Sequence, residues 1–406
     1  MKLTFSKNLD YSQENDISSL INEFKEHKRY DFVRELKNEE LLKSVKDVYK
    51  KYQHFKSFAQ IGIGGSSLGP EMLISALAKN DVQFTFFNNI DADDTYSKLN
   101  KLNIRDTLFY VVSKSGGTAE TMATFSIITN ELLKSGVKEQ DLKDHIVFAT
   151  DPKESSLLKL GSELGITCLD IPPFVGGRYS VLTPVGTLPA LFAGIDIELM
   201  LSSAYEYGIN NFDSDDFKNT CRSVLSAYED GINETVLMPY SSKLRDLSFW
   251  FVQLWAESLG KKKDGKRIGL TPVPSYGATD QHSQMQLFME GPLNKLMLLI
   301  HVQNTENDFS LKNSFNHSRL KMLSEYSLKE LMDAEFFGTL KALDEQGVPY
   351  INLSIESVNE KSLGQIIVYF ELLTSITGLA LGIDPFDQPG VEAGKIYSFE
   401  WLEKLK

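Results

Sequence analysis

The chain is poor in the residues that build metal centres and disulfide frameworks. Only two cysteines occur in 406 residues, Cys168 and Cys221, far apart in sequence and outside any CxxC pair. That usage fits a reduced, cytoplasmic protein better than a disulfide scaffold. The six histidines, His27, His54, His145, His282, His301 and His317, are scattered, with no HxH or HxxxH pair. Metal sites need ligands at such spacings. The chemistry expected is therefore organic acid–base work, with no metal and no cofactor. No run of about 18 apolar residues free of charge occurs, which argues against a membrane span. The opening residues, MKLTFSKNLDYSQEND, carry neither an apolar core nor a small-residue cleavage site, so no secretory signal is expected.

Basic charge is also in deficit. Lysine and arginine number 42 against 55 acidic residues, for a formal net charge of -13. Nucleic acid demands basic neutralisation, so no nucleic-acid partner is expected. An anionic ligand would need a pocket that is locally basic against the global field. The one dense basic run, KKKDGKR at 261–267, reads as a solvated loop.

What is present is ordinary globular composition, 42% hydrophobic and 24% charged, over a length that suits two or three domains. Residues 1–50 are charged and carry helical apolar spacing in ISSLINEFKEH and EELLKSVKDVYKKY. Short apolar runs then alternate with helical stretches. The expected strands are 58–64, 82–88, 107–113, 145–150 and 166–171. Continuous apolar strands between helices imply a parallel sheet covered on both faces. A polar stretch at 210–220, NNFDSDDFKNT, reads as an inter-domain junction. A second alternation follows, with strands at 234–240, 295–302 and 349–355 and helices at about 242–259, 281–290, 328–345 and 361–380. The fold class is α/β: two tandem three-layer αβα sandwiches with mainly parallel sheets, flanked by helical terminal segments. The divisions are 1–50, 51–205, 206–382 and 383–406.

Five stretches carry polar chemistry at element boundaries, and a sixth ends the last long helix. IGIGGSSLGP, at 61–70, places Gly64, Gly65, Ser66 and Ser67 between a strand and a helix, an anion-friendly junction. It lacks the full dinucleotide spacing G-x-G-x-x-G with a later acidic residue, which counts against a dehydrogenase. VVSKSGGTAET, at 111–121, puts the hydroxyls of Ser113, Ser115 and Thr118 and the N–H groups of Gly116 and Gly117 at a helix start. That arrangement suits a phosphomonoester. VGGRYSVLTPVG holds Arg178 after a glycine pair, where a fixed cation is placed to stabilise an oxyanion or to bridge domains. WAESLGK puts Glu257 at the end of the apolar stretch DLSFWFVQLWAES. A carboxylate among Trp, Phe and Leu is hard to ionise, which suits a general base working near neutrality. GATDQHSQMQL sets Asp280 as a cap and His282 at a helix start, where the dipole favours a neutral imidazole. GIDPFDQPGVEAGK follows the apolar run LGQIIVYFELLTSITGLAL, which reads as a buried helix. Pro385 breaks that helix, and Pro389 with Gly390 turns the chain between Gln388 and Lys395.

In this order the motifs resemble those of the glucose-6-phosphate isomerase (phosphoglucose isomerase) family. IGIGGSSLGP and SKSGGTAET are similar to a sugar-isomerase (SIS) domain. GGRYSVLTPVG and FDQPGVEAGK look like the two family signatures, AESLGK like the stretch around its catalytic glutamate, and DQHSQ like that around its catalytic histidine. The resemblance covers nearly the whole chain. It implies that Ser113, Lys114, Ser115 and Thr118 hold the sugar phosphate, that Gly65 and Ser66 line the sugar, and that Gln388 contacts the phosphate end. It implies Glu257 as the base between C1 and C2, Arg178 as stabiliser of the cis-enediolate, and His282 and Lys395 as assistants in ring opening. It implies glucose 6-phosphate and fructose 6-phosphate as substrates, and a homodimer in which His282 is shared across the interface. The segment 383–406 then becomes an active-site turn and helix. QNTENDFSLKNSFN, after Val302, matches nothing in the family, so His301 and His317 have no role assigned. A sugar-phosphate regulator on the same domains would keep the hydroxyl loop and need neither Glu257 nor Lys395. Tolerance of mannose 6-phosphate depends on pocket shape and stays open.

Overall fold

The computed structural model describes residues 1–9, 17–153 and 155–405; part of the polar opening stretch lies outside them. The strands are β1 (Lys2–Phe5), β2 (Ser57–Ile61), β3 (Gln83–Phe87), β4 (Thr107–Val112), β5 (Ile146–Thr150), β6 (Thr167–Asp170), β7 (Glu234–Pro239), β8 (Lys261–Lys263), β9 (Lys266–Ile268), β10 (Thr271–Pro274), β11 (Lys295–Val302) and β12 (Tyr350–Ile355). The helices that matter for the site are α1 (Leu68–Leu77), α2 (Ala119–Lys134), α3 (Ile197–Asn210), α4 (Asp215–Glu229), α5 (Arg245–Leu259), α6 (Leu328–Gln346), α7 (Glu360–Ala380) and α8 (Glu392–Glu403).

The first sheet has the order β3-β2-β4-β5-β6, all parallel. Every residue of β4 and β5 is buried. The pleat sends alternate side chains to opposite faces. Phe58, Leu108 and Tyr110 join one apolar cluster with Val45, Val48 and Leu188. Ala59, Ile61, Phe109 and Val111 join another with Phe125, Ile128 and Leu132 of α2. Helices therefore cover both faces, as the continuous apolar runs require. The second sheet has the order β1-β12-β11-β7-β10, parallel except for β1 at the edge. Val236, Met238, Met297 and Leu299 face Phe336 and Leu343 of α6, while Leu237, Leu298 and Leu353 face the other layer.

Both sheets reverse direction in the middle. In the first, β2 connects outward to β3 while β4 connects the other way to β5. In the second, β7 leads to β10 while β11 leads the other way to β12. The crevice at the carboxyl ends of the strands where such a sheet reverses is where open α/β folds place ligands.

The polar stretch at 210–220 contains the end of α3, a turn, and the start of α4, which Ser214 caps through a bond from the Phe217 N–H. The basic run at 261–267 is a short hairpin, β8 with β9. The run LGQIIVYFELLTSITGLAL lies in α7, which is long and apolar enough to cross a membrane by length and composition; 83% of that window is buried inside the protein. Its one interior charge, Glu371, is 2% exposed, and burial pushes its carboxyl well above the usual carboxylate range. Burial disfavours the charged form, since the neutral acid escapes most of the penalty of leaving water. Gly364 lets α7 meet α3 directly, since a Cβ there would stand 2.4 Å from the Met200 carbonyl oxygen.

The largest apolar cluster is shared by the two halves. Met72 and Leu73 of α1 and Val181 belong to it together with Trp250, Leu254 and Trp255 of α5. Trp250 is 2% exposed. Trp250→Ala is expected to cost about 3–5 kcal/mol and, because both halves lose the same packing, to lower one cooperative calorimetric transition. Splitting into two transitions, with only one displaced, would show that the halves do not share this core.

Candidate active site

Glu257 sits in the last turn of α5. Trp250, Phe251, Leu254 and Trp255 form the buried face of that helix. The glutamate projects elsewhere: its side chain is 30% exposed, and its carboxylate oxygens meet Gln253 Nε2 at 3.3 Å and Arg178 Nη1 at 3.4 Å. The apolar surroundings expected from sequence thus belong to its helix, not to its carboxylate.

Arg178 is the most constrained group in the site, 2% exposed in its side chain. Its Nε donates to Ser258 Oγ at 2.7 Å. Its Nη1 donates to Gln388 Oε1 at 2.9 Å and reaches Glu257. Its Nη2 donates to the carbonyls of Pro385 and Asp387 at 2.6 and 3.0 Å. All five guanidinium donors are used, as a buried arginine requires. Glu257, Ser258 and the turn at 385–388 are gathered around one fixed cation.

The turn that carries Arg178 touches the first glycine motif. A Cβ on Gly65 would stand 2.1 Å from the Gly177 carbonyl oxygen, so only glycine permits this contact. Gly64, at φ 60°, lies against Gln253, the neighbour of Glu257. Buried Gln60 holds the same turn, donating to the Ser66 carbonyl at 2.8 Å.

The hydroxyl loop follows β4, on the other side of the reversal from β2. Ser113 Oγ and Thr118 Oγ1 are 2.9 Å apart, and Ser113 Oγ accepts from the Gly116 N–H. Thr118 is the N-cap of α2, yet its side chain makes no cap bond, which leaves the first-turn N–H groups to another acceptor. Thr121, in that first turn, is 2% exposed with its hydroxyl unpartnered. Lys114 turns away: its Nζ donates to the carbonyls of Pro173 and Val175 at 2.7 and 2.6 Å, tying the loop to the segment that leads to Arg178.

A cavity of about 970 Å³ adjoins Glu257, lined also by Lys261, Lys262, Arg267, Asp387 and Gln388. Lys261 is the residue that sequence reading missed within the basic run. Its side chain is 7% exposed. Its Nζ donates to the Glu257 carbonyl at 2.6 Å and to the Asp387 carbonyl at 2.7 Å, and pairs with the Asp387 carboxylate at 3.1 Å. Burial lowers the ammonium pKa of both Lys114 and Lys261 below the ordinary lysine value.

Two expected residues lie apart from this group. His282 is exposed, in a short 3-10 turn (Thr279–His282) rather than a regular helix; Asp280 accepts from the Tyr276 N–H at 2.8 Å instead of capping a helix. Lys395 is on α8, exposed and paired with Glu392 at 2.8 Å. Neither lines the cavity beside Glu257.

A family profile described as Phosphoglucose isomerase matches residues 29–406. A glucose-6-phosphate isomerase of Carboxydothermus hydrogenoformans is 36% identical over 387 residues, covering 90% of this chain and 83% of that protein. A solved structure of a hypothetical protein from Thermus thermophilus superposes with a TM-score of 0.88 at 31% identity, over 99% of this chain and 100% of that one. A Chlamydia trachomatis glucose-6-phosphate isomerase shares the fold, with a TM-score of 0.79 at 18% identity, over 99% of this chain and 89% of that one.

Lys261→Met removes the bonds that join the end of α5 to the 385–388 turn. It is expected to lower kcat roughly tenfold with KM changed less than about threefold, since it shifts the end of α5 that carries Glu257 and leaves the hydroxyl loop in place. Steady-state kinetics on a variant of unchanged circular dichroism checks this; an unaltered kcat would make the lysine a fold clamp only.

Proposed function

The chain belongs to the phosphoglucose isomerase family and interconverts glucose 6-phosphate and fructose 6-phosphate through a cis-enediol intermediate; we propose the division of labour among its residues that follows. The observation that carries it is the Glu257 carboxylate held 3.4 Å from the buried Arg178 cation, at the wall of the cavity of about 970 Å³.

Isomerisation moves a proton between adjacent carbons on one face, so a single carboxylate serves both. Glu257 is that base. The enediolate places negative charge on oxygen, and Arg178 stabilises it, already fixed before substrate arrives. Gln388, bonded to Arg178, contacts the phosphate end of the substrate. The hydroxyls of Ser113, Ser115 and Thr118, with the uncapped start of α2, bind the phosphate. Lys114 contributes charge beside them while anchored to its two carbonyls. Gly65 and Ser66 line the sugar. Phosphate binding, remote from the reacting carbons, fixes C1 and C2 against Glu257. Sandwiches at 51–205 and 206–382 belong to the same reading, with the correction that β1, from the segment 1–50 expected to be helical, completes the edge of the second sheet; so does a cytoplasmic location, which two free cysteines support.

His282 and Lys395 assist ring opening in a homodimer. Two observations support a second copy. His282 is exposed and away from its own chain's Glu257 cavity. Every described residue of α8 is exposed, including Ile396, Tyr397, Phe399, Trp401 and Leu402, an apolar surface that a partner would cover.

Two tests follow. Glu257→Gln is expected to keep substrate affinity and lose about 10³-fold in exchange of the C2 proton with solvent, followed by NMR in deuterated water with a chelator present. Near wild-type exchange would eliminate Glu257 as base. Trp401→Glu combined with Leu402→Glu is expected to yield a monomer by analytical ultracentrifugation, with activity down about 100-fold as His282 is lost from the shared site. A fully active monomer would refute the shared histidine.

A further inference from the structure

The first sheet uses its reversal point, between β2 and β4, for the glycine turn and the hydroxyl loop. The second sheet reverses in the same way between β7 and β11. There the structure opens a second cavity of about 620 Å³, sharing no lining residue with the cavity beside Glu257. Its size falls within the usual range for small-molecule sites, about 300–1,000 Å³. Ser241 and Lys243 come from the loop after β7, Asn304 and Glu306 from the loop after β11, and Ser357 from the loop after β12. The opposite wall is the end of α1, with Lys79.

The lining is polar but electrically balanced. Lys79 pairs with Glu360, which is 4% exposed and also accepts the Asp196 N–H at 3.2 Å. Lys243 faces Glu306 across the crevice at 3.8 Å, beyond hydrogen-bond length, so its ammonium donors are uncommitted. Hydroxyl, amide and carboxylate groups on three loops can exchange bonds with several alcohols, and Lys243, its donors uncommitted, can take an anion. Leu77, Val302 and Val358 add an apolar wall for a carbon skeleton. A nucleotide base finds no aromatic platform among the lining residues.

We propose that the crevice between β7 and β11 is a second binding site for a sugar monophosphate, one per chain, that takes no part in the isomerisation. The site rests on the topology and lining of the second sheet and does not depend on the roles given to Glu257 or Thr118.

Equilibrium dialysis of radiolabelled fructose 6-phosphate, at isomeric equilibrium, against the full chain tests it. Two molecules per chain are expected. Lys243→Glu and Ser241→Trp are each expected to weaken one of them at least about tenfold while kcat and KM stay within about twofold. Thr118→Val weakens the other and leaves the Lys243-sensitive molecule bound. Inorganic phosphate is expected to displace the second molecule at least about tenfold less well than the sugar phosphate. One molecule per chain in the unaltered protein, or two retained in both Lys243→Glu and Ser241→Trp, overturns the proposal. Equal displacement by inorganic phosphate overturns the sugar-phosphate assignment. Insensitivity to Thr118→Val alone would count against the catalytic phosphate loop and not against this crevice.

Discussion

A guanidinium in the interior is tolerable only if every N–H finds an acceptor, and Arg178 draws its acceptors from segments about 80 and 210 residues away. Ser258 and Glu257 arrive at the end of α5, Pro385, Asp387 and Gln388 in the turn after α7. Gly65 and Gly177 bring the first glycine turn against the arginine's own turn. The first sandwich, the second sandwich and the C-terminal turn therefore meet at one buried charge. Because protein groups hold the cation, it stands ready beside Glu257 without waiting for a ligand to orient it. A preorganised charge of this kind stabilises an oxyanion without reorganisation at the moment of reaction. Lys261 plays a parallel part on the other side of Glu257, fastening the helix end to the same turn.

The charge distribution follows from the same geometry. An acidic chain of formal charge -13 binds an anionic sugar only where cations and N–H groups are concentrated. Arg178 meets the Glu257 carboxylate, Lys261, Lys262 and Arg267 line the cavity beside it, and the start of α2 leaves N–H groups without a side-chain cap. The two sheets share one topological device but line it differently. The first reversal point carries glycines, hydroxyls and a helix start. The second carries ion pairs and amides around a separate cavity. The difference lies in the loops, not in the strands, as expected when function is set by the segments that a rigid sheet positions.

Much of the fold was legible because burial on both faces leaves a plain mark. Runs such as TLFYVV and KLMLLIHV have no polar alternation, and their strands fall within a residue of the boundaries read from sequence. Edge strands leave less. β1 is four residues with an exposed and half-buried alternation, and β10 contains two prolines, tolerated at an edge. The stretch at 210–220 looked like a junction because its polar residues are the turn and the capped, solvent-facing start of α4. In the site, Glu257, Arg178, Gln388 and the hydroxyl loop were visible as polar groups placed where apolar elements end. Lys261 was not, because a lysine run reads as solvated, and nothing in KKKDGKR says that its first member is buried against two carbonyls. Gln60 and Gln253 were hidden for the same reason: a single amide in an apolar element declares no partner.

The sequence by itself determined the class of fold, the phosphate-suited loop and the residues able to do acid–base chemistry, since periodicity and residue type act locally. The tertiary structure alone decided which of those residues meet. It set Arg178 against Glu257 and Gln388, turned Lys114 onto carbonyls, and left His282 and Lys395 outside their own chain's cavity. Those outcomes depend on contacts between segments far apart in the chain, and the satisfaction of a buried charge is decided only when all of its acceptors are in place.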